Sequence, residues 1–168
     1  ASLAVMKSLA VILVCLLAPG LIQAGNFPVA DFVVIEKDAR KLHLLQGGEV
    51  FRTFGIALGL QPVGDKKQEG DFRTPEGRYI LDRRNPNSEF FLSIGISYPD
   101  ARDRREAAAM GVNPGGAIMI HGQPNVPTRS EAYYRTRDWT NGCVAVSNSD
   151  MIDIWLMTGE NKPIEIRP

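Results

Sequence analysis

The sequence predicts a mainly β domain with two short helices. Two observations carry that expectation. Short β-branched, apolar runs recur along the chain between clusters of Gly, Pro and Asn. Only two segments combine helix-forming residues with a cap or a stop signal. The chain has 168 residues with 44% hydrophobic and 23% charged side chains, which is globular composition and the size of one domain.

The elements follow in order. Lys7 after Met6, the apolar stretch Ser8 to Leu17, the Pro19-Gly20 break and Ala24 before a polar segment form the parts of a secretory signal. The apolar run is about half of the ~20 residues a bilayer span requires, so a transmembrane helix is the poorer reading. Residues 1–24 are therefore expected to be a signal peptide, with residues 1–5 ahead of an initiator at Met6, and 25–168 the mature domain. Val14 before Cys15 reads poorly as a lipoprotein cleavage site. Phe32 to Ile35 and Lys41 to Leu45 read as strands, Gly47-Gly48 as a hairpin turn, and Glu49 to Leu58 as the return strand. Gly59 to Gly70 is loop, and Thr74 to Gly77 is a turn with Pro at its first corner. Arg78 to Asp82 and Phe90 to Ser97 read as strands. Pro99 to Met110 is charged and Ala-rich with Gly111 beyond it, which predicts a helix with a glycine stop. After the Asn113–Gly116 turn, Ala117 to Ile120 is a short apolar strand that delivers His121-Gly122. Gln123 to Asp138 is loop, and Cys143 to Val146 a strand. Asn148 caps a second helix with Met151, Ile154 and Trp155 on one face, and Lys162 to Arg167 closes the chain as a strand.

Charge and ligand counts exclude several functions. Lys plus Arg and Asp plus Glu are 19 each, so no basic nucleic-acid footprint exists. Two Cys make no disulfide scaffold, and with Cys15 in the expected leader the remaining Cys and two His leave too few ligands for a closed Cys/His zinc site without carboxylates. No spacing supports a metal site from His43, His121 and Cys143, and His43 reads as structural within its strand. With the leader removed, Cys143 is the one cysteine of an exported protein. It is either a small buried hydrophobe or a reactive thiol.

The neighbours of Cys143 favour chemistry. It lies in Trp139-Thr140-Asn141-Gly142-Cys143, where Gly142 permits unusual dihedrals and close backbone approach. Such a turn can aim N–H groups at one spot, as an oxyanion requires. A neutral imidazole from His121 within reach of the thiol would take its proton. A third group should orient that imidazole; the Gly122 carbonyl or a hydroxyl such as Thr140 can serve. Each residue alone has a bland reading, but both follow strands and both adjoin glycine.

These residues also carry a resemblance. Ile120-His121-Gly122, then Thr140-Asn141-Gly142-Cys143-Val144, then Asn148 and Asp150 resemble the active-site signature of the L,D-transpeptidase (YkuD-type) family. Thr74-Pro75-Glu76-Gly77-Arg78-Tyr79 resembles that family's Thr-Pro-x-Gly strand entry, and the likeness runs from about Phe32 to the end. It implies a β-sandwich or barrel-like catalytic domain, with Cys143 as nucleophile, His121 as general base, and the backbone of Gly142 and Cys143 at the oxyanion. It implies peptidoglycan stem tetrapeptides as substrate, loss of D-Ala, and an amine acceptor that gives a 3→3 cross-link or attaches an envelope lipoprotein. It implies no metal or organic cofactor, and a place in the periplasm or cell envelope.

Two departures bear on the acceptor. Many members carry Arg two residues after the cysteine, where this chain has Ala145, and His where it has Asn141. The Cys-Val-Ala-Val variant resembles a branch that includes an enzyme releasing lipoprotein from peptidoglycan, so water as acceptor is the alternative. Arg135 and Arg137, with Trp139, are candidates to hold a stem carboxylate in place of the missing guanidinium. A sortase would need an Arg soon after its cysteine on a neighbouring strand, and papain-like hydrolases place Cys before His. A non-catalytic wall-binding module with a buried thiol is the remaining alternative.

Overall fold

The computed structural model of the chain describes residues 27–168, so the expected leader, its cleavage after Ala24, and Cys15 lie outside the described residues. Eight strands form, β1 Phe32–Glu36, β2 Lys41–Gln46, β3 Glu49–Gly55, β4 Gly77–Ser88, β5 Phe91–Ile96, β6 Met119–His121, β7 Val144–Ala145 and β8 Lys162–Arg167. Three helices join them, α1 Ala101–Met110, α2 Glu131–Thr136 and α3 Asn148–Met157. The strands make one sheet in the order β3-β2-β1-β8-β4-β5-β6-β7. The β1–β8 and β6–β7 pairs are parallel and the others antiparallel. The last strand thus lies in the middle of the sheet.

Alternation decides which face is buried. Leu42 and Leu44 of β2, Val33 and Ile35 of β1, and Ile164 and Ile166 of β8 turn inward in register, and Tyr79, Leu81, Ile94 and Ile96 continue the layer. Helix α3 covers it with Met151 and Ile154, both fully buried, each of which stabilises the fold by roughly 1.5–3 kcal/mol.

The sheet is curled, and the curl closes on itself. Its edge strands are β3 and β7. Directly beyond β3, the Ala57 N–H donates to the Ala145 carbonyl and the Ala145 N–H to the Ala57 carbonyl, both at 2.8 Å. Leu60 N–H donates to the Thr140 carbonyl at 3.0 Å, and the N–H groups of Trp139 and Thr140 share the Leu58 carbonyl at 3.1 Å. The expected return strand to Leu58 therefore ends at Gly55, because Ala57 takes Ala145 of β7 as its partner and Leu58 takes Trp139 and Thr140. A barrel-like closure of this kind removes exposed edges that would otherwise invite pairing.

Other differences have local causes. Three helices form rather than two, because Ser130 caps a short helix inside the expected 123–138 loop by accepting from Tyr133 N–H. Strand β4 runs to Ser88, past the expected end at Asp82. Beyond Leu81 it pairs with β5 alone, and Pro86, which has no N–H, is tolerated on that one-sided stretch. Ser147 caps α3 in place of Asn148, whose side chain is engaged elsewhere. Helix α1 has the expected glycine stop at Gly111, and Asp100 with Asp103 forms its capping box.

The long connection between β3 and β4 is fixed by buried charge. Lys37, 1% exposed at the end of β1, donates to the carbonyls of Gly64 (2.7 Å) and Thr74 (3.0 Å) and pairs with Glu76 Oε1 at 2.7 Å. All three Nζ protons are used, so one side chain ties the loop to the sheet. Lys37→Ala is expected to lower stability by about 3 kcal/mol, since it strands two carbonyls and a carboxylate. A urea titration checks this, and an unchanged midpoint would refute it.

Candidate active site

His121 ends β6 and is held from both sides, opposite Ser93 of β5 and Ala145 of β7. It is 2% exposed. Its Nδ1 lies 2.7 Å from the Gly122 carbonyl, which only accepts, so Nδ1 carries the proton and Nε2 keeps its lone pair. Of the two groups the sequence left open as its orienter, the carbonyl fills the role. The Thr140 hydroxyl is used in the cysteine turn. The Phe90 ring stacks at 4.5 Å and the Trp139 indole meets the imidazole edge-on at 5.6 Å. Burial among these rings lowers the imidazole pKa to about 4, against the smaller opposing effect of the Gly122 carbonyl. His121 is a neutral base at physiological pH.

The cysteine turn is fastened by one hydroxyl. Thr140 Oγ1 donates to the Cys143 carbonyl at 2.7 Å and accepts from the Gly142 N–H at 3.1 Å. Gly142 has φ +130°, and a Cβ there would sit 2.7 Å from the Arg73 carbonyl, so no other residue fits. The Gly142 N–H, expected at an oxyanion, is thus already engaged. Cys143 is half-buried, with Sγ directed at the Ala117 carbonyl at 3.5 Å. Burial raises its thiol pKa above the ordinary value, partly offset by a hydrogen bond from the Met119 backbone and by the charge of Lys66.

Strand pairing brings the two residues to one place. β6 and β7 run parallel in register, and Cys143 and His121 line the same cavity of about 320 Å³. Its walls are Phe90, Trp139, Thr140 and Asn141 on one side and Gly116 to Ile118 on the other. Arg135 and Arg137 are not among its walls. Arg137 is exposed at the end of α2, and Arg135 faces a separate pocket beside Asp150 and pairs with Glu131 at 4.0 Å. Ala145, where a guanidinium was missed, is buried in the closing ladder. His43 bonds Thr53 Oγ1 at 2.8 Å, away from the cavity.

Two further residues position the site from outside the cavity walls. Asn148 Oδ1 accepts the Gln123 N–H at 2.8 Å and lies 2.6 Å from where a Cβ on Gly122 would be. It therefore pins the peptide whose carbonyl holds His121. The sequence marks Asn148 both as part of the family signature and as a helix cap, but not its bond to Gln123. Asp138, before Trp139, accepts the Leu58 N–H at 2.8 Å and binds the Arg40 guanidinium at 2.7 and 3.1 Å. No local pattern marks a pair 98 residues apart.

Comparison with known proteins gives a consistent result. A family model described as the L,D-transpeptidase catalytic domain (YkuD) matches residues 30–166. The Escherichia coli (strain K12) protein named "Putative L,D-transpeptidase YafK" is 31% identical over 141 residues, covering 70% of this chain and 55% of that protein. The chain spans about half the length of that curated relative. The helical cell shape determining protein Pgp2 of Campylobacter jejuni superposes with a TM-score of 0.59 at 27% identity, over 80% of this chain and 46% of that one. Bdellovibrio bacteriovorus Bd1075 does so with a TM-score of 0.56 at 25% identity, over 80% and 46%.

A buried neutral imidazole that shares a cavity with a protonated thiol has a measurable consequence. Alkylation of Cys143 by iodoacetamide should rise roughly tenfold per pH unit and continue rising up to pH 9, the ordinary thiol value. It should show no inflection near 6.5, because His121 holds no proton to lose there. A rate plateau below pH 7 would instead reveal a preformed thiolate–imidazolium pair.

Proposed function

The chain belongs to the L,D-transpeptidase catalytic-domain family, and from that premise we propose that it opens peptidoglycan stem tetrapeptides through a thioester on Cys143. The observation that supports this most is His121, kept neutral by burial and oriented by Gly122, in the cavity that holds the only described cysteine.

The chemistry follows from those groups. The thiol proton passes to His121 Nε2 as sulfur attacks the carbonyl of the third stem residue. The Cys143 N–H, at the turn fixed by Thr140, faces the developing oxyanion. The tetrahedral centre collapses, the C–N bond to D-Ala breaks, and the proton on Nε2 goes to the departing amine. An amine acceptor then attacks the thioester, gives its proton to His121 and restores the thiol. A second stem peptide as acceptor yields a 3→3 cross-link; a lysine yields attached lipoprotein. Because the imidazole is a weak base and the thiol a weak acid, proton transfer must accompany attack rather than precede it. The site operates at the cell envelope, in the periplasm, after export.

The second reading rests on Ala145. Without a guanidinium at that position, water can resolve the acyl-enzyme, which makes the protein an amidase that frees lipoprotein.

Incubation with purified disaccharide-tetrapeptide, read by mass spectrometry, should show loss of D-Ala with a cross-linked dimer, and Cys143→Ala should abolish both. Tripeptide without dimer would select water as acceptor. Full activity of Cys143→Ala would refute the mechanism. Asn148→Ala is expected to lower kcat roughly tenfold to a hundredfold with KM unchanged, since it frees the peptide that orients His121. An equal rise in KM with kcat intact would assign Asn148 to binding instead.

A further inference from the structure

The wall of the cavity does not end at Trp139. On the far side of the same indole lies a second groove of about 310 Å³, lined by Pro124, Val126, Thr128, Arg129, Tyr133 and Trp139. That volume is at the low end of the ~300–1,000 Å³ typical of small-molecule sites, near the size of a sugar ring. Val126 on its rim is 82% exposed, and nothing among the described residues covers it.

The groove is held in shape from below. The Tyr134 hydroxyl accepts the N–H groups of Thr128 (3.0 Å) and Arg129 (3.2 Å), and Trp139 Nε1 donates to the Tyr134 carbonyl at 3.1 Å. Tyr134 meets Trp139 edge-on at 5.0 Å and Tyr133 at 5.7 Å. A rigid aromatic wall of this kind binds without a large ordering cost. The Arg129 guanidinium lies 5.7 Å over the Tyr133 ring and forms no ion pair among the described residues.

We propose that this groove is a saccharide subsite, holding the hexosamine ring that carries the stem peptide attacked by Cys143. The proposal rests on the function argued above. A pyranose has an apolar C–H face and a polar rim. Tyr133, Trp139 and Val126 offer an apolar surface to the face, and Arg129 and the Thr128 hydroxyl offer polar groups to the rim. The reach also fits. Three extended residues span roughly 10 Å, so a stem whose third carbonyl is at Cys143 delivers its sugar beyond the cavity. Ring centroids 5.6 Å apart between His121 and Trp139, 5.0 Å between Trp139 and Tyr134 and 5.7 Å between Tyr134 and Tyr133 make one aromatic run that joins the cavity to the groove.

Calorimetry on the Cys143→Ala chain separates the two ideas, because it needs no turnover. Unreduced disaccharide-tetrapeptide, its stem-bearing hexosamine ring closed, should bind about tenfold more tightly than the sugar-free tetrapeptide. Adding Arg129→Ala or Tyr133→Ala should abolish that difference. Val126→Asp, on a side chain too exposed to affect folding, should do the same. Equal Kd values in the parent, a difference that survives all three substitutions, or no binding of the disaccharide-tetrapeptide would overturn the subsite. Turnover of the tetrapeptide by the unsubstituted chain with equal Kd values would sink the subsite alone. A sugar-dependent Kd without turnover would leave the subsite standing and remove the transpeptidase reading.

Discussion

The reciprocal hydrogen bonds between Ala57 and Ala145 are the constraint on which the site depends. They turn an open sheet into a curled one and place the residues after β3 against the cysteine turn. Asp138 extends the same seam, with the Leu58 N–H on one oxygen and the Arg40 guanidinium on both. Trp139, Thr140 and Cys143 follow within five residues. Their positions are thus set by backbone pairing and an ion pair, not by a flexible loop. Sites built on rigid pairing hold reacting groups to fractions of an ångström, which loops alone do not achieve.

The electrostatics of the two reacting groups form a matched compromise. Burial disfavours charge on both, lowering the basicity of His121 and the acidity of Cys143. Neither is ionised at rest, which protects an exposed-side thiol from adventitious oxidation. In the mechanism proposed above, the same walls of Phe90 and Trp139 would strengthen the interactions of any charge that develops. One carbonyl, on Gly122, selects the tautomer, and Asn148 fixes that peptide through its neighbour.

The strands, α1, α3, and the two residues that meet in the cavity, His121 and Cys143, were legible because each writes itself locally. Alternation marks Lys41–Gln46, and Gly111 marks the end of α1. The family likeness from Thr74 to Asp150 was equally local, and the family match confirms it. What escaped was set by partners far away in sequence. Residues 56–58 look like more strand, and only the presence of β7 redirects them. Asn148 belongs to the signature and looks like a cap, but its bond to Gln123, 25 residues away, carries no local mark. Arg135 and Arg137 are near the motif in sequence, but neither lines the cavity, and Arg135 lines a separate pocket. The helix itself hid in a polar loop because six residues give too little periodicity to see.

The central place of β8 carries a consequence for how the fold assembles. Strands β3, β2 and β1 form one half of the sheet and β4 to β7 the other; Lys162–Arg167 join them. Until β8 is in place, neither half can find the other across an empty lane. The Ala57–Ala145 seam, where the outer ends of the two halves meet, therefore leans on β8 as well, and with it the setting of the cysteine turn.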